Sequence, residues 1–191
     1  LVVDDHSIVR HGISALLAKQ HDLAICGEAG SYDEAMAALA SLHPDLMLVD
    51  ITLKDQSGLD LVRDALSRGF KTKALALSMH DEASYAEKAL RCGAMGYVMK
   101  ENADEVIVDA IRTVLRGEIY VSGAVSARML KHYIAGEEED ASGTGIASLT
   151  ERELEIFESL GQGLTSRKIA EQFGLSARTV EVHRAHIKKK L

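Results

Sequence analysis

The chain has 191 residues, 47% hydrophobic and 27% charged, enough for one large domain or for a medium domain with a small one. No apolar run is long enough to cross a bilayer. The start, Leu1-Val2-Val3-Asp4-Asp5, lacks the basic region and cleavage site of a signal peptide, so a cytoplasmic protein without a membrane partner is expected. It begins without Met and in an apolar run, as a chain trimmed by a few residues would. The formal net charge of −7 is unevenly spread. From Thr165 to Leu191 seven basic residues face two acidic ones, a net +5, which leaves −12 on the rest. An acidic body with a basic end points to a polyanion partner for that end, with a solvated basic helix as the bland alternative. Cys26 and Cys92 cannot staple a fold of this size, and core thiols in a reducing compartment are expected.

Up to about Gly117, short apolar runs alternate with longer amphipathic stretches. The runs Leu1–Val3, Leu23–Cys26, Leu46–Val49, Ala74–Leu77 and Gly96–Met99 predict strands. Between them, helical patterns fall near 7–20, 32–42, 58–68, 82–92 and 103–116. In the last of these, Val106, Ala110, Ile111, Val114 and Leu115 form one stripe. Strand-helix alternation of this kind calls for an α/β fold, a doubly wound five-stranded parallel sheet of flavodoxin-like order covered by helices on both faces. Residues 118–147 read as a linker. Ser122 to Ile134 predicts a helix with Val125, Met129, Leu130 and Tyr133 along one side, followed by the acidic, Gly- and Ser-rich stretch 136–145.

Residues 148–191 read as a small all-α domain. Thr150 and Glu153 have capping-box spacing, with Leu149 and Leu154 as the accompanying staple, for a helix to about Gly161. Thr165 caps a short helix through Phe173, which Gly174 ends. Ser176 caps the last helix, with Leu175 and Val180 at staple spacing. Two helices around a tight Gly-containing turn, the second basic, outline a helix-turn-helix.

In a doubly wound sheet, chemistry gathers beyond the C-terminal ends of the strands. Those ends carry Asp4 and Asp5 after the first strand, Asp50 after the third, Ser78 after the fourth and Lys100 after the fifth. Clustered carboxylates repel, and burial would push protons back onto them. A divalent cation together with Lys100 balances three negative charges, which suits Mg²⁺ on oxygen ligands. Asp50 is then placed to attack a phosphoryl group and form an aspartyl phosphate. Asp4 and Asp5 are the candidates for holding metal with Asp50, and the backbone carbonyl of Thr52 completes the set. Lys100 neutralises the transferred oxygens and Ser78 turns its hydroxyl toward them. A lone Asp ending a strand is usually a turn residue or cap, but four strand ends with this combination are hard to assign to chance.

Val3-Asp4-Asp5-His6, Val49-Asp50-Ile51, Leu77-Ser78-Met79-His80 and Gly93-Ala94-Met95-Gly96-Tyr97-Val98-Met99-Lys100-Glu101 resemble the receiver domain of bacterial response regulators. Leu149-Thr150-Glu151-Arg152-Glu153 through Thr179-Val180-Glu181-Val182-His183 resembles the LuxR-type helix-turn-helix. Together they are similar to the NarL/FixJ subfamily across nearly the whole chain apart from the linker. The resemblance implies a transcription regulator, not an enzyme, phosphorylated on Asp50 by a sensor histidine kinase and dephosphorylating itself slowly. It also implies Asp4 and Asp5 as Mg²⁺ ligands, Ser78 as the switch hydroxyl and Lys100 as the phosphate-contacting lysine. Tyr97 as the switch aromatic comes from the resemblance alone. The chain departs from the pattern at Lys54 and Asp55, where Pro and Gly are usual, and at Glu101, where Pro often follows the lysine. The fourth helix that closes a LuxR-type domain would lie beyond Leu191.

At 100° per residue from Val180, Ile187 and Leu191 fall on the inward side and His183 at its edge. Arg178, Val182, Ala185 and Lys189 point away, with Glu181 beside them and Thr179 in the first turn. An outward Val and Ala suit thymine methyls in a major groove, and Glu181 can accept from a cytosine amino group. Arg167, Arg184, Lys188 and Lys190 are placed for phosphates, which position a helix without reading sequence. Double-stranded DNA with paired half-sites, bound by a homodimer of the phosphorylated chain, is the expected partner. A substrate phosphatase working through an aspartyl phosphate is the rival class. It wants a second Asp two residues after the nucleophile, where this chain has Thr52. A last domain that docks on protein is the other rival, and its basic end argues against it.

Overall fold

The computed structural model describes residues 1–54, 56–135, 149 and 151–191, less the side chains of residues 83, 84, 132, 133, 151 and 189. The acidic stretch 136–145, Asp55, the Thr150 cap and the Tyr133 and Lys189 side chains therefore lie outside the described residues. Two compact units divide the chain, 1–135 and 136–191.

The first unit is a parallel sheet in the order β2-β1-β3-β4-β5. Its strands are β1 (Val2–Val3), β2 (Glu28–Ala29), β3 (Leu46–Asp50), β4 (Lys73–Ser78) and β5 (Gly96–Met99). Every residue of β3 is buried, as a central parallel strand covered on both faces requires. Helices α1 (Ser7–Leu17), α2 (Tyr32–Leu42), α3 (Gly58–Ser67), α4 (Glu82–Arg91) and α5 (Ala103–Leu115) alternate with the strands. One core face gathers Leu46, Leu48, Leu75, Leu77 and Val98 against Ile13 and Leu17 of α1 and Ile107, Ala110, Ile111 and Val114 of α5. The stripe on α5 is thus centred one residue from the expected one. Ile107 is fully buried, while Val106 and Leu115 pack from its edges.

The second strand differs from expectation. The run Leu23–Cys26 forms no ladder, and pairing with β1 falls instead on Glu28–Ala29. Leu23 and Ile25 are half-buried and packed on the core while Ala24 and Cys26 are exposed, so the run alternates as an extended sheet flank does. Cys26 is therefore exposed and Cys92 half-buried, neither in a disulfide, and neither is the core thiol expected.

Beyond α5 the chain returns along the sheet edge. Tyr97 N donates to Tyr120 O at 2.9 Å and Tyr120 N to Met95 O at 3.0 Å, a parallel bridge that covers β5. Gly96 permits this approach, since a Cβ there would lie 2.8 Å from both Tyr120 O and Leu75 Cδ1. Helix α6 (Gly123–Ala135) then packs on α4, with Val125 buried and Met129 half-buried. Leu130, expected on the same side, is exposed, so the inward face is narrower than the sequence stripe. Ser122 N donates to Glu82 Oε1 at 2.6 Å, which pins the start of α6 to the first turn of α4.

The second unit holds α7 (Glu151–Gly161), α8 (Ser166–Gln172) and α9 (Ala177–Lys190). The Thr165 hydroxyl accepts from Lys168 N and the Ser176 hydroxyl from Thr179 N, so both expected caps are in place. Gly174 takes φ +64 in the turn between α8 and α9. Leu149, Ile156, Ile169, Ala170, Val180 and Ile187 form its buried core, with Leu154 and Leu175 packed against it. Leu191, expected on the inward side, is 54% exposed and takes no part in that core. Glu153, whose cap partner Thr150 lies outside the described residues, is buried and accepts from Lys190 Nζ, tying α7 to the last turn of α9.

Candidate functional site

Parallel register brings the sequence-predicted carboxylates together. Val3 pairs with Val49, so Asp4 and Asp50 leave the sheet side by side at its C-terminal edge. Leu77 pairs with Asp50 and Ser78 with Met99, which sets Ser78 and Lys100 on the same edge. The carboxylates of Asp4 and Asp50 are buried, at 0% and 3% exposure. Lys100 Nζ lies 2.6 Å from Asp50 Oδ2 and 2.7 Å from Asp4 Oδ2. Thr52 N donates to Asp50 Oδ1 at 3.1 Å, which fixes the carboxylate's rotamer.

Burial dominates the electrostatics. It pushes the Asp50 carboxyl up from 3.8 to about 6, with Asp4 adding to the rise and the Lys100 charge and hydrogen bond opposing it. Burial also works against the Lys100 ammonium, but Asp50 and Asp4 outweigh it and raise Lys100 above its ordinary value. The site is therefore short of positive charge. Asp4 Oδ2 and Asp5 Oδ1 are buried, with Lys100 Nζ 2.7 Å from the first and His6 Nδ1 2.8 Å from the second. A hard divalent cation fits this set of oxygen donors.

Gly58 at the start of α3 closes the floor of the site. A Cβ there would sit 1.9 Å from the Asp50 carbonyl oxygen, so the backbone could not stay where it is. Gly58→Ala is expected to cost about 1–3 kcal/mol by this overpacking, read from the midpoint of urea unfolding at unchanged slope. An unchanged midpoint would show that the floor yields.

The loop after β4 joins the two expected switch residues through one peptide. His80 N donates to the buried Ser78 hydroxyl at 2.9 Å, and His80 O accepts from Tyr97 OH at 2.9 Å. Tyr97 is 1% exposed, with its ring inside the sheet edge. The His80 ring stacks on Tyr85 of α4, with centroids 4.5 Å apart and planes at 18°. Ser78, Tyr97 and Tyr85 of α4 thus all meet His80, and α6 rests on α4.

Sequence reasoning passed over His6. Its Nδ1 lies 2.8 Å from Asp5 Oδ1 and 3.3 Å from Asp4 Oδ1, and its backbone N donates to Asp4 Oδ1 at 2.7 Å. Adjacency to the Asp4-Asp5 pair was the available signal.

In the second unit, Arg178, Glu181, Val182, Arg184, Ala185 and Lys188 of α9 are exposed, as is Arg167 of α8, while Thr179 is half-buried. Glu181 is engaged locally. It accepts from Ser166 Oγ at 2.6 Å and from Arg184 Nη1 at 2.9 Å, and Arg184 Nη1 also donates to Ser166 Oγ at 2.8 Å. The Ser166 bond, helped by Arg184, holds the Glu181 carboxyl below the usual carboxylate range. His183 is half-buried, and burial pushes its imidazole down. Lys190 pairs with buried Glu153, so it serves the fold of this unit and is not free for a phosphate.

Residues 1–112 match the family described as response regulator receiver domain, and residues 147–191 match bacterial regulatory proteins of the luxR family. The chain belongs to the response regulators with a LuxR-type helix-turn-helix. The oxygen regulatory protein NreC of Staphylococcus carnosus is 33% identical over 194 residues, covering 100% of this chain and 89% of that protein. A LuxR-family two-component response regulator from Aurantimonas sp. SI85-9A1 is similar in structure, with TM-score 0.63, 29% identity, and coverage of 70% of this chain and 95% of that one. The RcsB response regulator of Salmonella typhimurium shares the fold over 100% of this chain and 89% of its own, with TM-score 0.60 and 20% identity. The chain is thus a two-component response regulator with a receiver and a LuxR-type DNA-binding domain. No helix among the described residues is long and apolar enough to cross a membrane.

Proposed function

We propose that this regulator accepts a phosphoryl group on Asp50 from the phosphohistidine of a sensor histidine kinase and converts that event into DNA binding. The observation that carries the reading is Lys100 held between buried Asp50 and Asp4 at the sheet's C-terminal edge. An Asp50 oxygen attacks phosphorus as the P–N bond of the donor breaks and its nitrogen leaves with the electron pair. Lys100 meets the negative charge of the transferred oxygens, and Ser78 hydrogen-bonds one of them. Mg²⁺ would be held by Asp4, Asp5, Asp50 and the Thr52 carbonyl, and when bound it supplies further positive charge at those oxygens. Slow self-dephosphorylation follows, its rate tuned by Thr52, which follows the acceptor by two residues, and by His80 in the loop after Ser78.

The receiver spans 1–117, the linker 118–147 and the helix-turn-helix 148–191. Ser78 and Tyr97 share the His80 peptide, so phosphorylation repositions the β4–α4 loop, and α4 passes the change to α6. The regulator works in the cytoplasm as a homodimer on paired half-sites when phosphorylated. Arg178, Thr179, Glu181, Val182 and Ala185 face bases, while Arg167, Arg184 and Lys188 hold phosphates. The Glu181–Ser166–Arg184 cluster sets the two groups in register with each other.

Titrating a selected duplex with the chain, before and after treatment with a small phosphodonor, tests the coupling. Affinity is expected to rise about 5–150-fold on phosphorylation, and equal affinities would sink the reading. On the same duplex, Lys188→Ala should weaken binding uniformly across sequences and lower the log–log salt slope by about one. A sequence-dependent loss would place Lys188 among the base contacts instead.

A further inference from the structure

We propose that His6 is a nitrogen ligand at the receiver's metal site, giving it a mixed nitrogen and oxygen donor set that favours Mn²⁺ or Co²⁺ over Mg²⁺. This rests on the metal role assigned above to Asp4, Asp5 and Asp50. Ligand atoms of Asp4, Asp5, His6 and Asp50 lie within 4.8 Å of one another. Donors bound at about 2.0–2.2 Å on opposite sides of one ion are about 4–4.4 Å apart, so the cluster is close to coordination size before any ion enters.

The position of His6 makes this placement informative. It occupies the N-cap of α1, where Ser, Thr, Asp or Asn would accept from the helix's first amides, yet its side chain makes no capping bond. The ring instead turns back to the carboxylates, with Nδ1 2.8 Å from Asp5 Oδ1. The backbone N of His6 donates to Asp4 Oδ1 at 2.7 Å, and that bond holds the turn that aims the ring. Arg10 Nη1 donates to the Asp4 carbonyl at 2.5 Å and braces the same turn from α1. The neighbouring oxygens are prepared as well. Asp4 is 0% exposed with its Oδ2 2.7 Å from Lys100 Nζ, and the buried Asp5 Oδ1 faces the His6 ring nitrogen, so ring and carboxylates already converge on one point. The ring itself is 67% exposed, so it can adjust to an ion without disturbing the core.

An imidazole nitrogen adds affinity for first-row transition metals, least for Mn²⁺ and more for Co²⁺, while Mg²⁺ keeps to oxygen and water. His6→Ala therefore separates metals that a purely carboxylate site would treat alike. The test is calorimetric titration of metal-free, unphosphorylated full chain with Mg²⁺ and with Mn²⁺, for wild type and His6→Ala. Pulsed electron paramagnetic resonance on the Mn²⁺ samples would look for a directly bonded nitrogen. The expected result is a Mn²⁺ affinity about tenfold lower in His6→Ala, loss of the nitrogen coupling, and a Mg²⁺ affinity unchanged within about twofold. Unchanged Mn²⁺ affinity without nitrogen coupling in wild type would overturn the proposal. Equal loss for both metals would also overturn it, by assigning His6 to positioning Asp4 and Asp5. Failure of the wild type to bind either metal would instead bring down the metal role of the carboxylates, and this inference with it.

Discussion

Asp50→Asn is expected to abolish phosphoryl uptake while making the unphosphorylated receiver more stable. The first half is read by intact mass after incubation with Mg²⁺ and a small phosphodonor. One added phosphoryl group on wild type and none on the variant is the expected pair of results. An equal gain on both would move the acceptor elsewhere. The second half follows from burial. A carboxyl raised from 3.8 to about 6 binds its proton more tightly in the folded state, so between those values the folded chain holds more protons than the unfolded one. Stability then falls as pH rises from about 4 to about 6 and levels off above. The loss by neutral pH is about 3 kcal/mol at 1.36 kcal/mol per tenfold. An amide removes this dependence, and Lys100 keeps Asp4 at 2.7 Å as its partner. In chelator-treated buffer the variant should exceed wild type by about 1–3 kcal/mol at pH 7 and converge with it near pH 4. A variant less stable at pH 7 would mean that the Lys100–Asp50 contact outweighs the burial of Asp50.

That opposition suits the site to the phosphoryl acceptance proposed for it. A carboxylate placed to attack phosphorus must be near cations and dry, and both conditions are met here by strand ends that the sheet register forces together. On that proposal the cost falls on the unphosphorylated state, and a bound cation or a phosphoryl group would relieve it. Ser78 and Tyr97, meeting at the His80 peptide, lie where that relief can be passed to α4 and then to α6.

Most of this was legible in the sequence because it depends on local order along the chain. Asp4, Asp50, Ser78 and Lys100 each follow an apolar run, and parallel register places such residues on one edge whatever the details of packing. Caps at Thr165 and Ser176 are local bonds and fell where expected. What the sequence hid depends on contacts between distant segments. Leu23–Cys26 is as apolar as a strand, yet the ladder begins at Glu28, because pairing with a short β1 is decided by where that strand lies. Glu153 carried a capping pattern, and nothing in its spacing announced the bond from Lys190, 37 residues away. The clasp of Tyr120 over β5 and of Ser122 on Glu82 carries no periodic signal at all. His6 was quoted within a motif, but its ring orientation is a property of the turn and not of the spelling.

The second large effect is expected in the helix-turn-helix unit, where Ile156→Ala should unfold the DNA-binding part and leave phosphoryl uptake intact. Ile156 is fully buried in a cluster of six residues that holds α7, α8 and α9 together. Truncating a buried Ile costs about 2–5 kcal/mol, from lost burial plus the cavity left behind. So small a unit buries a modest share of its surface and has little stability in reserve. Loss of the core releases α9, whose outward side chains act only while Val180 and Ile187 hold the helix in place. DNA affinity should therefore fall at least about a hundredfold at 37 °C, while the mass gain on Asp50 stays that of wild type. Leu191→Ala is the matching control. The heptad position of Leu191 put it beside Ile187, but at 54% exposure its truncation should cost less than about 0.5 kcal/mol. A large cost at Leu191 with a small one at Ile156 would mean that this unit packs on the face the sequence stripe named, not on the one the structure shows.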